Sequence, residues 1–442
     1  MEFEKIIDFK RSFMQSFTSI GPFLDIAAIF AAIAIFSSFM LPIVVLFSFL
    51  ISYSTIYTIY YISRKHSTNG GYYSFVGKSL GSNVGLIVGI FYIFYSALVL
   101  PNISLFAANF ITSALGSLSI SIPFSSDIYA IVFSLMAVLM VSRGLRFSST
   151  YTLILGLVEI IAILFYITFF FTFSVGGINI FQNSSFQSFF TGVMFGMVIF
   201  AGAGSSIFVS ENTIEPRRLV PRAIILSYTF SGIALVVSAF AMENYLGSTG
   251  MIMYSSTGGA YILEALYNYN VWLFTTFLLL AVVSGFNLAV SYLRAFVNVM
   301  QRMRKDRIIP SWNRKLKDST LDLFCIFCLN LAVVFVSNFY GFLTVFIIIL
   351  TCVALSYIIV HIVTAIAVMR SCGFDPKNVG TPVSFISMVI LGIVLYYEAI
   401  FNGNFYSNLI TLLMVIGSFV TLLFLNVFRR NYLSKVEFEQ AI

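Results

Sequence analysis

Uninterrupted apolar runs of about 20 residues recur along the whole sequence, each long enough to cross a hydrocarbon layer about 30 Å thick as a helix rising about 1.5 Å per residue. In lipid every backbone amide must find its partner inside the segment or in a closed barrel, so the runs are read as helices. They are continuous rather than alternating in polarity, which argues against a barrel. Only 9% of the 442 residues are charged and 60% are hydrophobic, against about 25% charge in an ordinary soluble domain. The expected class is therefore an all-α polytopic membrane protein.

Polar breaks divide the apolar sequence into about twelve helices, at 13–37, 41–62, 83–115, 127–143, 150–173, 189–209, 221–245, 271–300, 321–338, 341–369, 382–399 and 406–428. The first dozen residues are polar and the hydrophobic stretch after them exceeds a signal-peptide core, so the first helix is expected to stay in the mature protein. With the amino terminus inside, all 24 Lys and Arg fall on the cytoplasmic side, from Lys5, Lys10 and Arg11 through Arg314, Lys315 and Lys317 to Arg429, Arg430 and Lys435. The opposite connections 116–126, 174–188 and 242–270 hold none. This is the positive-inside pattern, and it places both termini in the cytoplasm. The net charge of +7 is thus topological, and no nucleic acid partner is expected. The long connection 242–270 is rich in Gly, Ser and Tyr and reads as a loop over an outer vestibule.

A carrier must offer a polar solute unsatisfied hydrogen-bonding groups in mid-membrane, and an interrupted helix supplies them from the backbone. Helix 1 carries Thr18-Ser19-Ile20-Gly21-Pro22 near its middle, and helix 6 carries Gly202-Ala203-Gly204-Ser205-Ser206. Each alone reads first as a kink or a close packing contact. If two five-helix repeats begin at helices 1 and 6, however, the breaks occupy corresponding positions, which points to a binding site at the repeat interface.

Several segments resemble the amino acid–polyamine–organocation superfamily of permeases. They are the break in helix 1, Ser67-Thr68-Asn69-Gly70-Gly71-Tyr72-Tyr73-Ser74-Phe75 leading to Leu80-Gly81, and Arg143-Gly144-Leu145-Arg146-Phe147-Ser148. The likeness is strongest across Phe200 to Ser206 and Ser210 to Ile224, and it closes with Asn287 to Pro310. It covers helices 1 to 8 in order, while helices 9 to 12 agree in number only. The resemblance implies one transmembrane domain over 1–442: an inverted pair of five-helix repeats, 1–175 and 189–369, plus two last helices within 382–428. It implies a secondary active transporter of amino acids in the plasma membrane, working by alternating access and coupled to H+ or Na+. A polyamine or organic-cation transporter is the alternative.

The substrate site is then expected at Ser19, Ile20, Gly21, Pro22 and Asp25 with Phe200, Ala201, Gly202, Ala203 and Gly204. Amides of Ser19, Ile20 and Gly21 would receive a carboxylate at the positive end of the following half-helix, and carbonyls of Ala201 to Gly204 an ammonium group. Phe200 stands where the family implies an aromatic gate; as one of fifty Phe it reads equally as packing. Many relatives have a Glu where Gly204 stands, whereas this chain places an acid at Asp25. A charge at the bilayer centre costs about 2.5 to 3.5 kcal/mol even on the lenient insertion scale, which makes such an acid a functional candidate. The competing reading is an N-cap of the second half-helix, worth about 1 kcal/mol. Glu159 is a second mid-membrane acid, placed where some proton-coupled relatives carry a Lys, and with Ser284 and Asn287 it forms the candidate ion-coupling group. Structural glue between helices is its competing reading.

His361 reads as a packed neutral histidine and His66 as solvated. Cys325 and Cys328 have metal-ligand spacing without further ligands nearby, so no metal and no cofactor is expected. The connection between helices 3 and 4 lacks Cys, so no disulfide-linked heavy subunit is expected. A small-molecule substrate and membrane lipid are the remaining partners. No nucleophile with a His base is apparent, which speaks against an enzyme. A channel would want rings of like charge or filter carbonyls, whereas a solute sensor that does not transport stays open as an alternative.

Overall fold

The structure, a computed structural model, describes residues 5–37, 40–119, 125–174, 186–309, 318–397 and 405–428. Pro310, Arg314, Lys315, Lys317, Arg429, Arg430, Lys435 and parts of the connections 116–126 and 174–188 lie outside the described residues. Nearly all that is described is helical, and only one isolated β-bridge, Ile7 to Thr213, occurs among these residues.

The first membrane helix is divided into α1 (Phe9–Ile20), α2 (Pro22–Leu24), a π-turn over Asp25–Ile29 and α3 (Phe30–Ser37). Then follow α4 (Leu41–Lys65), α5 (Gly71–Leu80), α6 (Ser82–Ser117), α7 (Ser126–Ser142) and α8 (Leu145–Thr172). The second half opens with α9 (Phe186–Ile199), which runs into a 3-10 helix over Phe200–Asn212. After it come α10 (Pro216–Ser256), α11 (Tyr261–Tyr269), α12 (Val271–Lys305), α13 (Asp318–Tyr340), α14 (Phe342–Ser371), α15 (Gly380–Tyr397) and α16 (Phe405–Phe428). Ten spans among the described residues are long and apolar enough to cross a membrane, and α7 and α16 are shorter apolar helices at two further expected positions.

Two stretches differ from the sequence reading. The polar segment after helix 2 is itself helical from Gly71 onward, as α5. The connection 242–270 is no open loop: α10 continues past a non-helical Gly247 (φ 62°, ψ −173°) to Ser256, and α11 follows. Glycines and serines suggested irregular chain there, but a single left-handed glycine suffices to redirect a helix without ending it.

Burial sorts the helices. The first membrane helix and the span Ser188–Asn212 are almost wholly enclosed, whereas little more than a quarter of α13 and of α15 is buried. The two interrupted segments thus form the centre of the bundle, with α4, α6, α8, α10, α12 and α14 packed around them. Outward-facing Phe335, Phe339, Trp272 and Leu423 are each more than half exposed, as expected when the solvent is lipid. Inside, hydroxyls such as those of Ser37, Thr152 and Thr364 donate to carbonyls one turn back in their own helices, which satisfies them without a partner across the bundle.

Candidate functional site

The break in the first membrane helix follows directly from two adjacent residues. Gly21 takes a left-handed conformation (φ 70°, ψ 52°) that ends α1, and Pro22 starts α2 without an amide hydrogen. Every backbone donor across the break is accounted for. The Gly21 amide donates to the Phe17 carbonyl at 3.2 Å and that of Asp25 to the Gly21 carbonyl at 3.0 Å. Phe23 donates to Glu159 Oε1 and Leu24 to Ser284 Oγ, each at 3.1 Å. Ser284 Oγ donates in turn to Glu159 Oε1 at 2.5 Å.

These bonds place the donors freed by the break elsewhere than at the expected Ser19, Ile20 and Gly21. Ser19 and Ile20 lie in the last turn of α1, where amides are already paired, and Gly21 caps that turn. The donors freed by the break are instead those at the start of the next half-helix, Phe23 and Leu24. Glu159 from α8 and Ser284 from α12 cap it, so Asp25 is not its cap. Asn287, one turn beyond Ser284, also faces Glu159 and lies close enough to act on its carboxyl group, though no hydrogen bond within 3.5 Å joins them. Glu159 Oε2 and both amide atoms of Asn287 are buried without a hydrogen-bond partner among the described residues. Glu159, Ser284 and Asn287 are thus brought together, against the break itself.

Beyond it, the π-turn leaves carbonyls that other elements cover. Tyr254 donates its hydroxyl to the Ile26 carbonyl at 2.5 Å. Gly259 lies so close to Ala27 that a β-carbon there would stand 1.9 Å from the Ala27 oxygen. Both come from the connection 242–270, which therefore closes over this end of the break.

The second interruption takes a different form. At Phe200 the α-helix tightens into a 3-10 helix thirteen residues long; such runs seldom exceed 3 to 4 residues and often mark hinges. Its small residues let two backbones touch: a β-carbon on Gly202 would lie 1.8 Å from the Ser19 carbonyl oxygen. Hydroxyls fasten the contact. Those of Ser19 and Ser205 are 2.6 Å apart and both reach the Gln15 carbonyl, at 2.6 and 2.7 Å, while Ser16 and Ser206 are joined at 3.0 Å. The paired breaks therefore meet.

A cavity of about 50 Å³ lies beside this junction, lined among others by Ser19, Ile20, Asp25, Asn102, Ile199 and Tyr292. That is room for more than one water molecule, which needs about 10 to 15 Å³ by this measure. Asp25 is 2% exposed, and its Oδ2 has no hydrogen-bond partner among the described residues. Glu159 is near enough for the two carboxyl groups to interact electrostatically. Asn102, on α6 just after Pro101, donates through Nδ2 to the Phe346 carbonyl at 3.2 Å and leaves Oδ1 unpaired. No Lys, Arg or His lines the cavity.

The other expected residues sit apart from it. Phe200 packs on Phe49 and Tyr228, with ring centroids 5.9 and 5.1 Å away. Ala201, Gly202, Ala203 and Gly204 are packed in the 3-10 helix outside the lining, Gly204 against the Tyr72 side chain. The aromatic residue at the cavity wall is Tyr292 instead. Asn102 and Tyr292 were not expected at the site; a polar side chain in the middle of helix 3 was the available sign for the first, whereas Tyr292 lies in the family-like stretch Asn287 to Pro310 with nothing in the sequence to aim its ring at a cavity.

From the cavity toward the basic end of the bundle runs an aromatic plug: Tyr292 to Tyr95 (6.4 Å), Tyr95 to Tyr357 (6.5 Å), Tyr357 to His361 (4.2 Å) and His361 to Tyr72 (5.0 Å). His361 is fully buried in it. Below the plug, Arg302 lies 3.8 Å from Glu211 and 3.3 Å from Asp306, which also accepts the Tyr73 hydroxyl at 2.9 Å. Asn69 and Glu211 exchange bonds at 2.9 and 3.0 Å, and the amides of Ile6 and Ile7 bind the Asn212 carbonyl at 3.0 Å. His66, expected in solvent, is instead partly buried against Phe75 with centroids 5.2 Å apart.

In comparison with known proteins, residues 7–427 match the family described as amino acid permease. A search of curated proteins finds no match.

Proposed function

Because the chain belongs to the amino acid permease family, a family of membrane transporters, we propose that it is a secondary active carrier of small solutes bearing a protonated amino group. The observation that carries this reading is the junction of the two interrupted helices at Ser19 and Gly202 beside a cavity holding the unpaired Asp25 carboxylate. A buried carboxyl group without a counter-ion is costly to ionise until a cation arrives beside it, and an ammonium group supplies one. Amino acids, which the family implies, and amines share that group.

The same reading takes the chain as twelve crossings of the plasma membrane with both termini cytoplasmic, built as an inverted pair of five-helix repeats plus two helices. Alternating access supplies the motion. The aromatic plug and the Arg302 network close the cytoplasmic side, and the connection around Tyr254 and Gly259 covers the other. Glu159 couples transport to H+ or Na+: its free Oε2 and the unpaired Asn287 carbonyl oxygen are acceptors already in mid-membrane. Electrically neutral Gln at position 159 keeps an acceptor for the Phe23 amide while losing the charge, so it isolates the coupling role.

The test is uptake of labelled amino acids and amines into proteoliposomes under imposed proton or sodium gradients. Saturable, gradient-driven accumulation that disappears in Asp25→Asn is expected. Tight binding without flux would make the protein a solute sensor, and unchanged ion dependence in Glu159→Gln would remove Glu159 from the coupling.

A further inference from the structure

We propose that the cavity selects a monoamine, a cation with one ammonium group, an apolar body and no carboxylate, over the amino acid that differs from it only by the carboxylate. The inference rests on the reading of this cavity as the solute site and names the class it takes.

The backbone inventory carries the argument. A solute carboxylate in such a junction is held by amides that the helix break sets free. Here no such amide is left. Gly21 and Asp25 donate within the chain turn, Pro22 has no donor, Phe23 is held by Glu159 and Leu24 by Ser284. The protein's own Glu159 carboxylate occupies the position that a solute carboxylate would claim.

The lining points the same way. It contains Asp25, an unpaired Asn102 Oδ1 and no basic side chain. An ammonium group has three donors and no acceptor, and these oxygens suit it. A second anion would be desolvated beside Asp25 and Glu159 with no cation and no free amide to receive it, a costly arrangement. The remaining walls, including Ile20, Ile103, Leu288, Leu350 and Val353, are apolar. They fit a hydrocarbon body, and Asp25 is the single carboxylate in the lining, so a second ammonium group has no partner there.

The experiment compares matched pairs on the purified full-length protein: isopentylamine against leucine and phenethylamine against phenylalanine, with putrescine as the diamine. Binding is read as thermal stabilisation, and uptake as saturable counts above protein-free vesicles at the same pH, because neutral amines cross lipid unaided. The monoamines are expected to bind at least about tenfold more tightly than their parent amino acids, since apart from the Tyr292 hydroxyl the lining offers no free amide and no cation to receive the added carboxylate. Asp25→Asn should abolish that binding.

Equal or tighter binding of leucine or phenylalanine, lost in Asp25→Asn, would overturn the monoamine assignment and leave the cavity as the solute site. Preference for putrescine would overturn the single-ammonium feature. If no solute of either class binds or moves, both the assignment and the reading beneath it fall. Glu159→Ala releases the Phe23 amide, and the amine-to-amino-acid ratio should narrow. An unchanged ratio in that variant, once shown to be folded, would overturn the role given to the occupied amides.

Discussion

The carbonyl oxygen of Ser19 occupies the space into which any side chain at Gly202 would project, 1.8 Å from the position of its β-carbon. The obstruction is backbone, at the junction of both interrupted helices, and cannot rotate aside. Gly202 has no left-handed dihedral to defend, so Gly202→Ala reports the steric contact alone. Overpacking a core by a methyl group typically costs about 1 to 3 kcal/mol where neighbours can adjust; at Gly202 the cost should exceed that range and transport should be lost. Gly204→Ala is the control, since its β-carbon meets the far end of the Tyr72 side chain at 2.7 Å and methyl groups of Ile59 at 3.2 Å. Thermal midpoints in detergent decide the matter, and equal stability of the two variants would sink the argument.

A second prediction concerns the charges at the basic end. Arg302 is almost buried between Asp306, one turn on at the end of the same helix, and Glu211, which comes from the 3-10 helix remote in sequence. Removing one member of a buried ionic group leaves the others uncompensated, at about 3 to 5 kcal/mol. Arg302→Ala should therefore be strongly destabilising. Adding Glu211→Gln, which removes one of the stranded charges, should restore part of the loss, so the two substitutions combine less than additively. A strictly additive pair in a thermal or denaturant series would show that Arg302 and Glu211 do not act on each other.

What the sequence disclosed and what it withheld have separate physical causes. The apolar stretches reappear as helices, ten of them long and apolar enough to cross a membrane, most within a few residues of the expected bounds, because hydrophobic length is a direct readout of what lipid demands; α10, which runs eleven residues past its expected end, is the exception. The break at Gly21-Pro22 was legible because both residues act on the backbone locally. Facing was not. Helices that are apolar around their whole circumference, such as α6, α8 and α14, carry little periodic pattern to say which side meets which neighbour. Hence Glu159, Ser284 and Asn287 could be grouped by depth, while the capping of Phe23 and Leu24 by two of them could not be foreseen. Phe200 shows the same limit: the resemblance implied a gate there, but its ring packs on Phe49 and Tyr228, outside the cavity lining.

The last prediction is a pH dependence at His66, which lies just past the end of α4. Partial burial against Phe75 is the main cause that lowers its pKa from 6.5 to about 4, with further contributions from the positive charges of Lys78, Arg217 and Lys65. Between these two values the unfolded chain binds a proton that the folded chain refuses, so stability rises with pH across that window. The contribution is complete above about pH 6.5 and drains away as the pH falls toward 4. Partial exposure tempers its size. His66→Gln removes the titrating group but retains a polar side chain of similar reach, so the fall in thermal midpoint between pH 7.5 and pH 5 should be smaller in the variant than in the parent protein. If both proteins lose the same number of degrees over that interval, His66 takes up its proton as readily in the folded state as in the unfolded one, and the packing against Phe75 does not exclude the charge.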